Sequence, residues 1–553
     1  MKIKTLKINT ADNIEVALTD LPMGTLVGQT GNQYQLVTDI PAKHKFATQS
    51  FEPGDEVIMY GVLVGKATQT IQKGELVSVK NIKHASNSYR LQNRKTAWPI
   101  PDYSPWKDRT FLGFHRSDGS VGTANYWLII PLVFCENQNV KTIHKALEKE
   151  LGYYYNASVT LDKQVQNLVK LYKDGKSREE ILGHDLEYGS AENQRNEKLF
   201  PNVDGIKFLN HTLGCGGTRD DTQALCSLLA GYITHPNVAG ATVLSLGCQN
   251  AQVTILQDKI REKDPQFLKP LVILEQQKIG NETILLKQAV NQTFLGLIEA
   301  NKLARAPAGL DKLCIGLECG GSDGFSGLSA NPALGLMSDM LVAMGGSVIL
   351  SEFPELCGVE QELSDRCVTE EVANRFMNLM TTYQQRATAV GSGFDSNPSA
   401  GNVRDGLITD AIKSAGAARK GGASPIVDVL DYTEKVTKKG LNLLCTPGSD
   451  VESTTAEVGS GANIVVFTTG LGTPTGNPVT PVIKVSTNTA LFTKMNDIID
   501  INAGTIIDGD ETVQQMAGRM LEHVIAVASG SIKAKADLSD HNDFIPWKRG
   551  ISL

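Results

Sequence analysis

The run Leu313 to Asp323, LCIGLECGGSD, gathers a thiol, two carboxylates and a hydroxyl around a pair of glycines. Leu313, Ile315 and Leu317 read as a buried strand, and Glu318, Cys319, Ser322 and Asp323 as the polar loop that it empties into. An α/β protein places its ligand at such strand ends. Gly320 and Gly321 let backbone amides approach an anion closely, while the sulfur and oxygen atoms suit a metal or a hydroxylated substrate.

The same passage from apolar strand to glycine-opened loop recurs. Ile206 to Leu209 leads into His211-Thr212-Leu213-Gly214-Cys215-Gly216-Gly217, and Ala241 to Leu246 into Gly247-Cys248-Gln249-Asn250. Ser347 to Leu350 leads into Ser351-Glu352-Phe353-Pro354-Glu355, and Tyr126 to Val133 reaches Cys135 just beyond its end. Four of the nine cysteines, Cys135, Cys215, Cys248 and Cys319, therefore share one structural position, which argues against core filling for these four. Cys226, Cys314, Cys357, Cys367 and Cys445 read as small core residues. Two chemistries fit the four thiols: an iron–sulfur cluster drawing thiolates from separate loops, or one divalent metal completed by oxygen and histidine ligands. His211, four residues before Cys215, is a ligand candidate, and His44, in Ala42-Lys43-His44-Lys45-Phe46-Ala47, is a ligand or proton carrier for a site shared with another domain.

The elements that must position these groups divide the 553 residues into several units. Residues 1–90 carry short strands separated by turns such as Pro53-Gly54-Asp55 and Lys73-Gly74-Glu75, a small β-rich module. Pro99, Pro101 and Pro105 mark a linker over 91–110. A middle α/β domain spans 111–310, with a polar helical insertion over about 153–199 in which Ser177 to Glu180 forms a capping box. A C-terminal α/β domain spans 311–553; its strands empty into loops such as Thr446 to Asp450 and Thr468 to Pro474, and it closes on an amphipathic helix marked by Val513, Met516, Met520, Val524 and Ile525. Apolar strands separated by helix-length segments predict largely parallel sheets with helices on both faces, so that all these loops can converge on one edge.

Composition narrows the function. A formal net charge of -7 offers no broad attraction for nucleic acid or an anionic membrane. No run of 18 apolar residues is present, and Met1 opens on a sequence without the apolar stretch of a signal peptide, so a cytoplasmic protein is expected. Nine cysteines without a CxxC pair read as reduced thiols. Gly470-Leu471-Gly472-Thr473-Pro474 lacks the Gly-Lys-Ser/Thr ending of a nucleotide phosphate loop, and no GxGxxG follows an early strand.

The series GFHRSDGSVGTAN, NHTLGCGG, SLGCQN, LECGGSDGFSGLSANPALG, SEFPE, NPSAGN and FTTGLGTPTG resembles the altronate and galactarate dehydratase family of sugar-acid hydro-lyases along the whole chain. The resemblance implies an N-terminal SAF-type β module, a middle and a C-terminal α/β domain, a homo-oligomer, and activation by ferrous iron or another divalent cation such as Mn2+. It implies loss of water from a sugar acid, D-altronate first and galactarate or another aldarate or aldonate as the alternative, without nucleic-acid or membrane partners. On that basis His44 and His211 are the expected base and acid, and Cys319 a further catalytic group. Cys215, Cys248, Glu318, Asp323 and Glu352 are the expected metal groups, and Arg116, Asn125, Ser322, Asn397, Asn402, Thr468 and Thr469 the expected substrate contacts. Two positions depart from the family pattern: Lys80 stands where the module often carries histidine, and His115 stands beside Arg116.

Overall fold

The computed structural model describes residues 3–28, 31–86, 89–90, 94–153, 157–183 and 197–552. The parts of the expected insertion over 154–156 and 184–196 lie outside the described residues. Within the described part, Ser177 caps a short helix, Arg178–Leu182, with both halves of the capping box formed.

The N-terminal module consists of small antiparallel sheets, one ordered Thr5–Leu6, Ile14–Ala17, Lys45–Ala47 and Leu76–Val77, another Glu56–Met59, Val62–Ala67 and Ile82–Lys83. Ile14, Val16, Phe51, Val57 and Val64 fill its core, and Phe325, Leu328, Leu407 and Ile412 of the C-terminal domain close it from below. Shared burial of this kind fixes the module against the larger domain, which is what lets a loop of one reach a site on the other. Residues 94–109 run along the C-terminal domain, where Trp106 and Arg109 both bond Glu522.

The middle domain is built on four parallel strands, β1 Tyr126–Pro131, β2 Gly205–Phe208, β3 Val238–Ser245 and β4 Leu271–Glu275, in the order β2-β1-β3-β4. Helix α1, Asn137–Glu150, follows β1, α2, Arg219–Thr234, follows β2, and α3, Val253–Lys263, follows β3. The C-terminal domain holds seven parallel strands, β5 Cys314–Cys319, β6 Ser347–Leu350, β7 Ile426–Leu430, β8 Gly440–Leu444, β9 Ile464–Thr469, β10 Val482–Ser486 and β11 Ile501–Asn502, in the order β7-β8-β6-β5-β9-β10-β11. β6 and β9 are buried along their whole length and β5 everywhere but its first residue, as the Val- and Ile-rich β6 and β9 require of a sheet covered on both faces.

The strand-end loops do not share a single edge. They divide between the two sheets: the loops carrying Cys135, Cys215 and Cys248 end strands of the four-stranded sheet, and those carrying Cys319, Glu352 and Thr469 end strands of the seven-stranded sheet. Strand periodicity records that a segment is buried in a parallel sheet, not which sheet it joins. Among the described residues no helix is long and apolar enough to cross a membrane.

Candidate active site

Strands β5 and β6 lie side by side and deliver Cys319 and Glu352 to the same edge. Cys319 is the last residue of β5, and its Sγ lies 3.2 Å from Glu355 Oε2 and 3.5 Å from Glu352 Oε2. The Lys420 ammonium donates to both Cys319 Sγ and Glu352 Oε2, each at 2.9 Å. Lys413 Nζ stands 2.6 Å from Glu355 Oε1 and 2.5 Å from Asn397 Oδ1, while Asn397 Nδ2 donates to Glu355 Oε1 at 3.2 Å. Lys413 belongs to helix α4, Asp410–Ala418, and Lys420 to the single turn that follows it, so one short segment brings both ammoniums in. Glu352 holds φ at 63°, a left-handed backbone worth about 1–3 kcal/mol of strain, which the surrounding contacts must outweigh.

The centre is almost dry: Lys420 and Glu352 are each 1% exposed, and Glu318, the residue before Cys319, is fully buried. Burial, with Glu352 and Glu457 close by, drives the Glu318 carboxyl far above the ordinary range. Burial likewise pushes Glu457 up to about 8, and Ser351 Oγ donates to one oxygen of each of these two acids. Burial would also raise Glu355, but the Lys413 and Lys420 ammoniums outweigh it and hold this carboxylate below its usual value. Burial, then the Glu352 and Glu355 charges, lift the Cys319 thiol well above its usual value. Burial disfavours the Lys420 ammonium, yet the surrounding thiol and carboxylates keep it charged. Burial, then the Glu355 charge, raise Glu352 against the pull of Lys420, so Glu355 and this weaker carboxyl face two ammoniums over a protonated thiol.

These groups fit a cation. Cys319, Glu352 and Glu355 each present one ligand atom, all within 4.8 Å of one another. Glu318, kept protonated by burial, shares its proton with Glu352, and among the described residues no other donor reaches Glu352 Oε1, which leaves an acceptor facing a dry interior at a cost that a positive charge would lessen. A bound divalent ion would displace the thiol proton and tip the neutral balance of two carboxylates and two ammoniums to a net positive one, suited to an acidic substrate. A second group, His84, Cys357 and Asp410, meets where the β module joins the C-terminal domain.

Around this centre the other strand-end loops serve as scaffolding. Asp323 accepts from Thr487 Oγ1 at 2.9 Å and Asn488 Nδ2 at 3.2 Å, and pairs with Lys43 of the β module at 3.1 Å. Both of its oxygens are engaged, so it acts as a clamp between domains rather than joining the three ligand atoms. Lys43 also bonds Asp405, and the buried Lys45 ammonium donates to the Gly406 carbonyl. His44 lies between them, half-buried, with Nδ1 3.1 Å from the Ala42 carbonyl. A carbonyl only accepts, so Nδ1 carries the proton and Nε2 keeps its lone pair. Burial holds the His44 imidazole below its ordinary value, neutral near pH 7. Asn402 caps its own helix and donates to the Ser322 carbonyl at 2.8 Å, Thr468 donates to Asn331, and Thr469 accepts from the Gly472 amide. Asp450, half-buried at the end of the β8 loop, stands against Gly320, where an added Cβ would meet its Oδ2 at 1.9 Å. Burial, then the Glu352 and Glu355 charges, push Asp450 up to about 7.

The remaining expected residues lie elsewhere. Arg116 and Asn125 sit where β1 begins, the opposite edge from the strand ends: the guanidinium donates to the Pro236 carbonyl at 2.7 Å and to Asn125 Oδ1 at 2.9 Å. Cys215 and Cys248 belong to the four-stranded sheet and take no part in the hydrogen bonds and ion pairs described above around Cys319. His211 is buried in the middle domain with Nε2 2.7 Å from the Pro131 carbonyl and Nδ1 accepting from the Leu213 amide at 3.1 Å. Both ring nitrogens are occupied, and the imidazole pins the β2 loop to the end of β1.

Burial pushes His211 down to about 4, so the folded protein keeps it neutral while the unfolded chain protonates it near the ordinary 6.5. Its contribution to stability is complete above about pH 6.5 and is lost as pH falls towards about 4, up to about 3 kcal/mol at 1.36 kcal/mol per unit. His211→Gln is expected to flatten this acid limb. Urea midpoints of the two proteins compared between about pH 7 and about pH 4.5 check it, and parallel curves would assign the acid sensitivity to other groups.

Four members of the centre, Glu355, Lys413, Lys420 and Asp450, carry no expected role in the sequence reading. Glu355 and Asp450 stand within loops already singled out, SEFPE and TPGSD, and were open to recognition as strand-end acids. Lys413 and Lys420 follow no strand, and no local signal marks them.

The geometry can be set beside known proteins. Residues 3–85 match the altronate/galactarate dehydratase SAF domain, 113–301 the second domain of D-galactarate dehydratase/altronate hydrolase, and 310–552 the C-terminal domain of D-galactarate/altronate dehydratase. The chain is 32% identical to an altronate dehydratase of Bacillus subtilis and 32% identical to one of Escherichia coli, each alignment covering 99% of both proteins. It is also 31% identical to a galactarate dehydratase (L-threo-forming) of Escherichia coli, over 96% of this chain and 94% of the relative. With relatives of this identity aligned from end to end, the chain belongs to the altronate/galactarate dehydratase family and is an enzyme, a dehydratase.

Proposed function

We propose that this enzyme removes water from D-altronate to give 2-dehydro-3-deoxy-D-gluconate, working as a homo-oligomer in the cytoplasm with a divalent cation, ferrous iron, held by Cys319, Glu352 and Glu355. The observation that carries the reading is the dry thiol–carboxylate–lysine centre at the end of β5 and β6. Full-length similarity to altronate dehydratases supports the choice of substrate.

Removing a proton beside a carboxylate concentrates negative charge on neighbouring oxygens, which is the main barrier of the reaction. When bound, the cation supplies a Lewis acid that offsets this charge. Lys413 and Lys420 add two fixed positive charges in a medium where water does not screen them. Asn397, held by Lys413 and Glu355, offers an amide to the substrate's hydroxyls. His44 Nε2 takes the C2 proton, and the electron pair of that bond forms the C2–C3 double bond. Asp450, with its pKa raised to about 7, gives a proton to the C3 hydroxyl as the carbon–oxygen bond breaks and water leaves. The enol then takes a proton at C3 and relaxes to the 2-keto acid. Asp323, Asn402, Thr468 and Thr469 hold the loops around this centre.

Assaying D-altronate, D-galactarate and related aldonates side by side, with ferrous iron and a thiol, tests this. D-Altronate is expected to give the highest kcat/KM, and Asp450→Asn to lower its turnover by about 10²–10⁴-fold. A higher kcat/KM for D-galactarate would overturn the substrate, and near-normal turnover by Asp450→Asn would remove it as the acid.

A further inference from the structure

The middle domain carries a second set of thiols that this chemistry does not use. Cys135 lies just beyond β1, Cys215 beyond β2 and Cys248 beyond β3, and the three strands are neighbours with β1 in the centre. Adjacent strands are about 4.8 Å apart, so the three loops leave the sheet within a band about 10 Å wide. Backbone bonds lace them together: the Phe134 amide donates to the Leu213 carbonyl at 3.1 Å, and the Ala251 amide to the Gly214 carbonyl at 3.0 Å. Gly214 has φ of 99°, and a Cβ there would meet the Leu132 carbonyl oxygen at 2.4 Å, so a glycine beside Cys215 lets the β2 loop close onto the end of β1. The chain order reverses at β1, which opens a crevice at the strand ends where sheets of this kind bind ligands.

The exposure of these residues sets them apart. Cys135, Cys215 and Cys248 are free and exposed, whereas Cys226, Cys319, Cys367 and Cys445 are buried and Cys314 and Cys357 half-buried. A small apolar side chain has no reason to project into solvent three times at one edge. Cys248 Sγ accepts from Gln277 Nε2 at 3.2 Å, an amide able to support a sulfur ligand.

We propose that Cys135, Cys215 and Cys248 together bind an iron–sulfur cluster. The three sulfurs do not all come within 4.8 Å of one another, whereas a single tetrahedral ion with bonds of about 2.3 Å to sulfur needs them closer, under about 4 Å. A cluster spreads its thiolates over several iron corners and accepts the wider spacing. His211, the nearest histidine in sequence, has both nitrogens committed to the backbone and cannot complete a mononuclear shell. Each thiol loses its proton as its sulfur bonds iron; a cluster assembled from four ferric ions and four sulfides takes up two electrons, which dithiothreitol supplies as it closes to its disulfide.

Three thiolates leave one corner of a four-iron cluster without a protein ligand. A cavity of about 420 Å³ adjoins the same loops, lined by Gly217, Arg219, Thr222, Gln223, Asn250 and Ile255. Arg219 opens the 16-residue helix α2 and brings a guanidinium to this cavity, with Asp220 and Asp221 in the same first turn and the Asp221 amide already capped by Thr218. An anionic oxygen, such as a carboxylate, is the ligand that this corner would take. The proposal does not depend on the assignment of D-altronate, because its readout is the cluster and not turnover.

Anaerobic incubation of the full chain with ferric iron, sulfide and dithiothreitol, followed by desalting, tests it. The expected product is brown, with broad visible absorbance and about four iron and four sulfide per chain. Cys135→Ser, Cys215→Ser and Cys248→Ser, each checked for native circular dichroism, are each expected to lose most of that absorbance and sulfide, and Cys319→Ser to keep both. Colourless wild-type protein, iron bound without sulfide, or full cluster content in the triple serine variant would each overturn the proposal.

Discussion

Lys420→Met is expected to lower kcat/KM by about 10²–10³-fold and to cost about 3–5 kcal/mol of stability, the usual price of stranding one member of a buried ion pair. The two effects have one origin. Lys420 Nζ lies 2.9 Å from both Cys319 Sγ and Glu352 Oε2, with 1% of its side chain exposed. Removing the ammonium leaves Glu352 charged and unpaired in a dry interior, and it removes a fixed charge that stabilises the developing enolate. A double variant, Lys420→Met with Glu352→Gln, separates them: it is expected to recover most of the lost stability while remaining inactive. Denaturant midpoints and turnover measured on both proteins decide it. A double variant that is both stable and active would place the reaction elsewhere.

The second large effect concerns the cation. Exhaustive chelation is expected to reduce turnover by about 10²-fold or more, and ferrous iron with a thiol to restore it. Glu355→Gln is expected to resist that restoration, because Glu355 presents one of the three ligand atoms and its other oxygen anchors Lys413. Inductively coupled plasma measurements on the chelated, restored and variant proteins give the metal content that accompanies each activity. Full turnover in chelated protein shown to be free of metal would rule out a cation in the mechanism.

How much of this was legible beforehand depends on the kind of signal. The strands announce themselves through unbroken Val, Ile and Leu, and Ser347–Leu350 and Glu56–Met59 fall where the pattern puts them. The thiol and carboxylate are equally plain as strand-end groups, since Cys319 closes β5 and Glu352 stands just beyond β6. The assignment of loops to sheets is not, because pairing is a long-range choice: Cys215 and Cys319 have near-identical local contexts and sit on different sheets. Histidines mislead for a related reason. His211 looks like a ligand beside Cys215, but the fold commits both its nitrogens to Pro131 and Leu213, and only the backbone path shows that. Lys413 and Lys420 reach the centre from a helix and its following turn, with no strand before them to mark the place. Arg116 reads as a carboxylate binder and instead ties Pro236 and Asn125 together at the start of the sheet.

The location of the reaction centre is open to direct observation. Crystals loaded with ferrous iron and D-altronate, with diffraction collected on either side of the iron absorption edge, would show where mononuclear iron and substrate meet. An anomalous peak bonded to Cys319, Glu352 and Glu355, with the sugar acid beside Lys413 and Asn397, is the predicted result. Substrate density seated in the middle domain, with Cys319 and its carboxylates still paired only to Lys413 and Lys420, would contradict the assignment.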